Sequence, residues 1–152
     1  MAASAWQLYN SAKKHIGNGT ITLGAGVFKM VLASASSNAS TFTLSVYASL
    51  TNEIAATGGY VAGGRDLVPA TALWTTGASA KQLKFTQTTA GLTFTASGAK
   101  LVNVKYAIVR NSTSAGGGRL LCFCRLSASE FTVTTPNTLT IIPAATGIFT
   151  LT

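Results

Sequence analysis

Acidic side chains are scarce in this sequence. Among its 152 residues only Glu53, Asp66 and Glu130 carry side-chain carboxylates, and His15 is the one histidine. General acid–base catalysis usually depends on histidine or on paired carboxylates with adjusted pKa values, and calcium loops need several acidic ligands at close spacing. The shortage predicts that the chain is not an enzyme, and that it has no catalytic residues, no cofactor and no metal site.

Long apolar runs are also missing. No stretch of about 18 consecutive apolar residues occurs, so a membrane-spanning segment is not expected. The N-terminal residues, MAASAWQLYNSAKKH, lack the basic-then-apolar order of a secretory signal. The sequence therefore predicts a chain that neither crosses a membrane nor carries a secretory signal.

Cysteine is limited to Cys122 and Cys124, in the segment LLCFCRL. Two residues apart on a strand, they point to the same face with Cα atoms about 6.6 Å apart. That distance is near the upper limit for a disulfide, and an extended strand does not turn the two Cβ atoms toward each other. We expect two reduced, buried thiols, because a metal site would need more ligands than His15 could add.

The charged residues that are present are mostly basic. Lysine and arginine total eleven, the formal net charge is +8, and charged residues make up only 9% of the chain, against roughly 25% in an average soluble domain. Nucleic acid, an anionic membrane or an acidic protein surface could each be the partner of such a chain. Apart from Lys13 and Lys14 the cations stand singly, so sequence-specific nucleic-acid binding is not expected.

Periodicity divides the chain into two parts. Residues 4–16 have apolar residues at helical spacing, with Ser4 as a possible N-cap and Gly17 to Gly19 as the end. Residues 1–19 are predicted to form a helical arm and residues 20–152 a β domain, a single antiparallel β-sandwich of jelly-roll or immunoglobulin-like type. The candidate strands are 20–23, 27–33, 41–46, 67–75, 82–88, 92–96, 100–110, 119–126, 131–134, 138–142 and 148–151.

In the strand predicted over residues 100–110, side chains alternate between the two faces most clearly. Its sequence, KLVNVKYAIVR, places Val102, Val104, Tyr106 and Ile108 on one side. We expect that side to face the core.

The segment NEIAATGGYVAGGRDL, residues 52–67, concentrates four glycines around Tyr60. It lacks the Gly-Lys-Ser/Thr of a phosphate-binding loop and does not open a helix after a strand, as a dinucleotide fingerprint does. The favoured interpretation is a structural turn in which positive φ angles are needed. At least one of four glycines is expected to adopt such an angle: Gly58, Gly59, Gly63 and Gly64.

The order of several short motifs resembles a family of small virion structural proteins of tailed bacteriophages. The motifs are LYNSAKKHIGNGTI, VFKMVLAS, ASLTNEIAATGGYVAGGRDL, YAIVRN and TIIPAATGIFTLT. Members of that family carry a similar NE…GTGYTAGG…L block and a G-I-hydrophobic-T-L ending, and the resemblance covers most of the chain. They are richer in aspartate than this basic chain. The resemblance implies a head-decoration or tail-associated role.

The expected function is that of a capsid decoration or cement protein. It would bind and stabilise the shell of the major capsid protein from the outer surface of the virion as a homo-oligomer. A stiff β scaffold with uncharged polar surfaces suits that role, and basic charge suits an acidic capsid face. One alternative is a tail, neck or other minor virion component. Another is a carbohydrate-binding β-sandwich, with Trp6, Tyr47, Tyr60 and Trp74 as stacking residues.

Terminal segments and loop tips reach beyond a compact domain and are the expected sites of contact with the partner. The loop NSTSAGGG, residues 111–118, is predicted to be the tip of a long hairpin. The predicted contact residues are Trp6, Tyr9, Lys13, Lys14, Arg110 and Arg119.

Overall fold

The computed structural model describes residues 3–67, 74–76, 83–85, 91–113, 118–144 and 147–151. Within these residues the chain is mainly β, as predicted, with one α-helix and one short 3-10 helix. The helices are α1 (Asn10–Gly17) and the 3-10 helix Tyr47–Ser49. The strands are β1 (Gln7–Leu8), β2 (Phe28–Ala33), β3 (Arg65–Asp66), β4 (Trp74–Thr76), β5 (Leu83–Phe85), β6 (Leu92–Thr95), β7 (Leu101–Val104), β8 (Tyr106–Asn111), β9 (Leu120–Arg125), β10 (Phe131–Val133), β11 (Thr138–Ile141) and β12 (Phe149–Leu151).

All strand pairs among these residues are antiparallel, and they form several sheets. The largest sheet has the order β1-β9-β8-β2-β3, and the smaller ones are β10-β7, β11-β6 and β12-β5-β4. The three central strands of the large sheet are rich in β-branched, aromatic and aliphatic residues, and most of their side chains are buried. They form the centre of the core.

Aromatic rings join the large sheet to the three-stranded sheet. Phe28 on β2 meets Phe85 on β5 edge to face, with ring centroids 5.1 Å apart, and Phe85 stacks on Phe149 of β12 at the same distance. Such pairs add about 0.5–1.5 kcal/mol each to the free energy of area burial. The core therefore extends from the large sheet to the three-stranded sheet.

The two cysteines lie on one face of β9, as predicted. Cys122 is opposite Val109 and Cys124 is opposite Ala107, both thiols are free, and both side chains are buried. Burial raises the pKa of Cys124 to about 12 and also raises the pKa of Cys122. The thiols therefore stay protonated at neutral pH and act as small apolar core residues.

The N-terminal helix begins at Asn10, so the predicted start at Ser4 is wrong. The N–H of Ser4 donates to the carbonyl of Arg125 (2.8 Å), its Oγ accepts the N–H of Arg125 (2.9 Å), and β1 then pairs with β9. A short helix is marginal by itself, whereas pairing satisfies backbone groups along the edge of β9. Residues 3–19 consequently lie against the β domain.

The strand predicted over residues 100–110 is two strands, β7 and β8. Asn103 adopts a φ of 60°, an angle that Asn tolerates better than most residues, and Lys105 lies outside both strands. The alternation of side chains between the two faces is therefore interrupted after β7 and restarts in β8. Val102, predicted to face the core, is 38% exposed and Tyr106 is half-buried, while Val104 and Ile108 are buried as predicted.

Two further segments predicted as strands, 20–23 and 41–46, form turns and irregular chain. Val46 alone makes an isolated bridge, to Arg119. These segments are irregular connections that add no strands to the large sheet.

Candidate functional site

The glycine-rich segment, residues 52–67, follows the edge of β2. At its start, the N–H of Ile54 donates to the carbonyl of Leu32 (3.1 Å). At its end, β3 pairs with β2, and the N–H of Leu67 donates to the carbonyl of Phe28 (2.9 Å). Between these two points the backbone leaves the sheet, and the Tyr60 hydroxyl accepts the N–H of Leu32 at 3.1 Å. A side chain thus completes the hydrogen bonding of the sheet edge where the backbone does not.

A polar cluster centred on Glu53 holds this segment in place. The Glu53 carboxylate accepts hydrogen bonds from the hydroxyl of Tyr47, the hydroxyl of Tyr60 (2.6 Å) and the N–H of Gly63 (2.7 Å). The Nε of Arg110 donates to the Gly63 carbonyl at 3.0 Å, and its guanidinium carbon lies 4.1 Å from the centroid of the Tyr47 ring. We call Tyr47, Glu53, Tyr60, Gly63 and Arg110 the Glu53 cluster.

The four glycines of the predicted turn all adopt positive φ, with values of 62°, 82°, 86° and 86° for Gly58, Gly59, Gly63 and Gly64. Tyr60, between the two pairs, is 4% exposed, and its ring centroid lies 6.0 Å from that of Phe94. The geometry agrees with a structural turn. The N–H of Gly63 is already bonded to a carboxylate of the same chain, so this donor is not free to bind a phosphate.

Burial and hydrogen bonding change the acidity of the tyrosines in this region. Burial first, and then the hydrogen bond to Glu53, raise the pKa of Tyr47 to about 12. The same two causes, in the same order, raise the pKa of Tyr60. Burial also raises the pKa of Tyr9 on the other side of the sheet. These hydroxyls therefore remain donors at neutral pH.

Alkali is expected to unfold the chain as these groups ionise. The pKa values of these groups are raised in the folded state. Each group's contribution to stability is therefore complete below its ordinary pKa, which is 9 for Cys124 and 10 for Tyr47. That contribution is lost as the pH rises through about 12. We expect the free energy of unfolding to be flat up to about pH 9 and to fall between about 9 and 12. Denaturant titrations read by circular dichroism measure it. A free energy of unfolding that stays constant up to about pH 12 would contradict this expectation.

All three side-chain carboxylates of the protein are engaged within the chain. Glu53 lies in its cluster, Asp66 forms an ion pair with Lys29 (3.0 Å), and Glu130 accepts the N–H of Ala35 (2.5 Å). Over the described ranges, no three His, Cys, Asp or Glu side chains come together in a group that could hold a metal ion. In the same ranges, no helix is long and apolar enough to cross a membrane.

The predicted contact residues fall into different environments. Lys13 and Lys14 are exposed on α1, and Trp6 is half-buried against the core. Tyr9 is fully buried, its hydroxyl donates to the carbonyl of Ala39 (2.6 Å), and it cannot be a surface anchor, so that prediction is wrong. The reason is the extended backbone before α1, which turns the Tyr9 ring inward. Arg110, half-buried, belongs to the Glu53 cluster, and residues 114–117 of the predicted hairpin tip lie outside the described residues.

The described members of the set of aromatic residues expected to stack on a sugar are not arranged for it. Tyr60 is buried and Tyr47 is covered on one side by Arg110. Trp6 packs against the core, and the side chain of Trp74 lies outside the described residues. No specific observation therefore favours carbohydrate binding.

A basic surface lies where the C-terminal half of α1 meets the start of β9. We call Lys13, Lys14, His15 and Arg119 the basic end. The Nδ1 of His15 and the Nε of Arg119 are both buried and have no hydrogen-bond partner, and among the described residues they are the only buried side-chain nitrogen or oxygen atoms of that kind. Burial first, then Arg119 and then Lys14, lower the pKa of His15.

The sequence pattern did not indicate that His15 lies near Arg119. The spacing from Ser11 was the available signal, since residues four apart share a helix face.

Comparisons of the chain with protein families, with curated proteins and with solved structures found no match.

Proposed function

We propose that this chain is a structural protein of a tailed-bacteriophage particle, a decoration or cement protein that binds the outer face of the major capsid protein shell. The observation that carries the proposal is the uncompensated positive charge of the surface. Glu53, Asp66 and Glu130 all have partners within the chain, while the net charge is +8. Such a surface attracts an acidic partner over long range and pairs with it at the rim of the contact.

The scaffold also supports a structural role. Charged residues are only 9% of the chain, so most of the exposed surface is Thr, Ser, Asn, Gly and Ala, which suits a protein packed beside copies of itself. The mainly β architecture is stiff. We propose that its sheets make up one sandwich, of jelly-roll or immunoglobulin-like type, and that the chain acts as a homo-oligomer on the shell.

The motif order adds a second line of support. The block with Glu53, Gly58, Tyr60 and Gly63 is one of the motifs that resemble those of phage virion proteins, and in this fold it closes a sheet edge. The same resemblance extends to tail-associated proteins. A tail or neck component is therefore the rival within the same class.

Copy number separates these two roles. Quantitative mass spectrometry of purified particles of the encoding phage would count this chain against the major capsid protein. Decoration predicts on the order of hundreds of copies per particle, whereas a ring-shaped neck or tail component gives about six or twelve. Absence of the chain from purified particles would contradict both roles.

Charge reversal on α1 tests attachment directly. The Lys13→Glu, Lys14→Glu double variant is expected to bind purified undecorated shells roughly 3- to 10-fold more slowly and with a weaker dependence on salt, because rim charges act mainly on the association rate. Lys100→Glu, an exposed lysine ahead of β7, is the control for charge alone. Unchanged association of the double variant, measured by light scattering or surface binding, would contradict attachment through the basic end.

A further inference from the structure

We propose that a cleft on one face of the large sheet binds single-stranded nucleic acid, with a base stacked on its aromatic rings and a phosphate bound by Arg125. The cleft has a volume of about 330 Å³, and its lining includes Gln7, Phe42, Tyr106, Phe123 and Arg125. We call these five residues the aromatic cleft. The proposal is independent of the capsid role, because it rests on this cleft alone.

The register of the large sheet brings four of the cleft residues together. Tyr106 on β8 lies opposite Arg125 on β9, and Gln7 on β1 lies opposite Phe123 on β9. Residues directly opposite each other on antiparallel strands share a face, and so do residues two apart on one strand, such as Phe123 and Arg125. All four side chains therefore stand on the same face of the sheet.

Hydrogen bonds hold the loop that supplies the fifth residue, Phe42. The hydroxyl of Tyr9 donates to the carbonyl of Ala39 (2.6 Å), and the N–H of Asn10 donates to the carbonyl of Phe42 (3.0 Å). The Phe42 ring meets the Phe123 ring edge to face, with centroids 5.5 Å apart, yet 44% of Phe42 remains exposed. The ring is thus fixed beside the sheet and is still open to a ligand from solvent.

The polar side chains of the aromatic cleft are not used within the chain. Gln7 and Arg125 are exposed, and in the part of the chain that the structure describes their side chains make no hydrogen bond or ion pair. The backbone of Arg125 is held, since its N–H donates to the Oγ of Ser4 at 2.9 Å. A guanidinium in this position is free to donate charge-assisted hydrogen bonds to a phosphate.

The charge around the cleft favours an anionic ligand. The Nζ of Lys105 lies 5.9 Å from the centroid of the Tyr106 ring and adds a second positive charge near that of Arg125. No carboxylate is among the described residues that line the cleft, and the three acidic side chains of the protein have partners elsewhere. The net charge of +8 adds attraction at long range.

Aromatic rings beside cations suit a single strand better than other anions. Every base has a flat face that stacks on an aromatic ring, and the phosphates follow at short distance, so the contact tolerates any sequence. A neutral sugar would leave both cations unused, and an acidic peptide would leave the rings without a stacking partner. In a duplex the bases are already stacked on one another and cannot reach the rings.

Fluorescence anisotropy of a labelled oligothymidylate of about eight nucleotides, titrated with the full chain, measures this binding. An abasic oligonucleotide of the same length keeps the phosphates and lacks the bases. We expect oligothymidylate to bind roughly 5- to 150-fold more tightly than the abasic strand, and also more tightly than a duplex of equal length. Equal affinities for oligothymidylate and the abasic strand would overturn the proposal, since charge alone would then account for binding.

Phe42→Leu tests the ring. Leucine keeps an apolar contact with Phe123 but offers no ring for stacking, so the affinity for oligothymidylate should fall roughly 5- to 150-fold, toward that of the abasic strand. Val61→Ala, at an exposed apolar residue outside the cleft, is the control and should bind like the wild-type chain. A Phe42→Leu variant with an unchanged circular dichroism spectrum and wild-type affinity sinks the proposal.

Arg125→Gln tests the phosphate contact and does not depend on how Phe42→Leu folds. Each phosphate contact to a single strand contributes about 0.7 to the slope of log affinity against log salt concentration. The slope should become shallower by about that amount in Arg125→Gln. Lys100→Gln removes an equal charge from an exposed residue outside the cleft and should leave the slope unchanged. Equal slopes in the two variants would show that Arg125 holds no phosphate.

Competition separates the other classes of ligand. Unlabelled oligothymidylate is expected to displace the labelled strand, whereas a polyglutamate peptide of similar length and a neutral maltooligosaccharide are not. Displacement by the peptide at the same concentration as oligothymidylate would assign the cleft to acidic proteins. Displacement by the oligosaccharide would assign it to sugars, and either result overturns the proposal.

Discussion

Replacing Glu53 by alanine is expected to destabilise the fold by about 3–4 kcal/mol, since hydrogen bonds to a charged group contribute about 1.5–3 kcal/mol each and are not additive. The substitution leaves the Tyr47 and Tyr60 hydroxyls and the N–H of Gly63 without their acceptor. Tyr60 also accepts the N–H of Leu32, so its displacement would open the edge of β2. Chemical denaturation followed by circular dichroism measures the loss.

Glu130→Ala is the matched control. It removes the same side chain from an exposed site with one hydrogen bond, to the N–H of Ala35. Because water can replace that bond at the surface, the substitution should cost less than about 1 kcal/mol. The loss of stability in Glu53→Gln should fall between the losses in the two alanine variants, because one carbonyl oxygen replaces two carboxylate oxygens. Equal stability of Glu53→Ala and Glu130→Ala would show that the Glu53 cluster does not hold the loop.

Gly64→Ala is expected to cost about 2–5 kcal/mol, the sum of two effects. A left-handed backbone costs an L-residue about 1–2 kcal/mol, and Gly64 has a φ of 86°. The added methyl group would also overlap the carbonyl oxygen of Met30 and lie 2.6 Å from its carbonyl carbon, and overpacking adds about 1–3 kcal/mol. Met30 is fully buried on β2, so its backbone has little room to move.

Gly98 separates the two effects. Its φ is 73°, and a methyl group there would meet no atom within 4 Å. Gly98→Ala should therefore cost only the backbone term of about 1–2 kcal/mol. If thermal or denaturant unfolding finds the two variants equally stable, close approach to β2 is not what requires glycine at position 64.

Local patterns were sufficient to predict much of this fold. The β-rich character, the buried cysteines and the turn around Tyr60 follow from residue types within a few positions of one another. The role of Glu53 could not be predicted in that way. Arg110, which completes the cluster, bonds to Gly63 across 47 residues of sequence, and nothing in the segment itself identifies Glu53 as the common acceptor.

The N-terminal error has the same origin. Residues 4–9 have helical spacing, yet pairing with β9 outweighs a weak local preference. The consequence extends to Tyr9, which is the extended N-cap of α1 and is fully buried. The proximity of His15 to Arg119 was likewise hidden, since it depends on where residues 44–46 cross between α1 and β9.

The hydroxyl of Tyr60 at the N–H of Leu32 bears on how copies of this chain can coexist at high concentration. An open strand edge is a template on which identical chains add one after another into aggregates and fibrils. Here the loop of residues 52–67 covers that edge of the large sheet, and the opposite edge is the two-residue strand β1, beyond which Asn10 donates its N–H to Phe42. We therefore expect copies of this chain to resist adding to one another edge to edge.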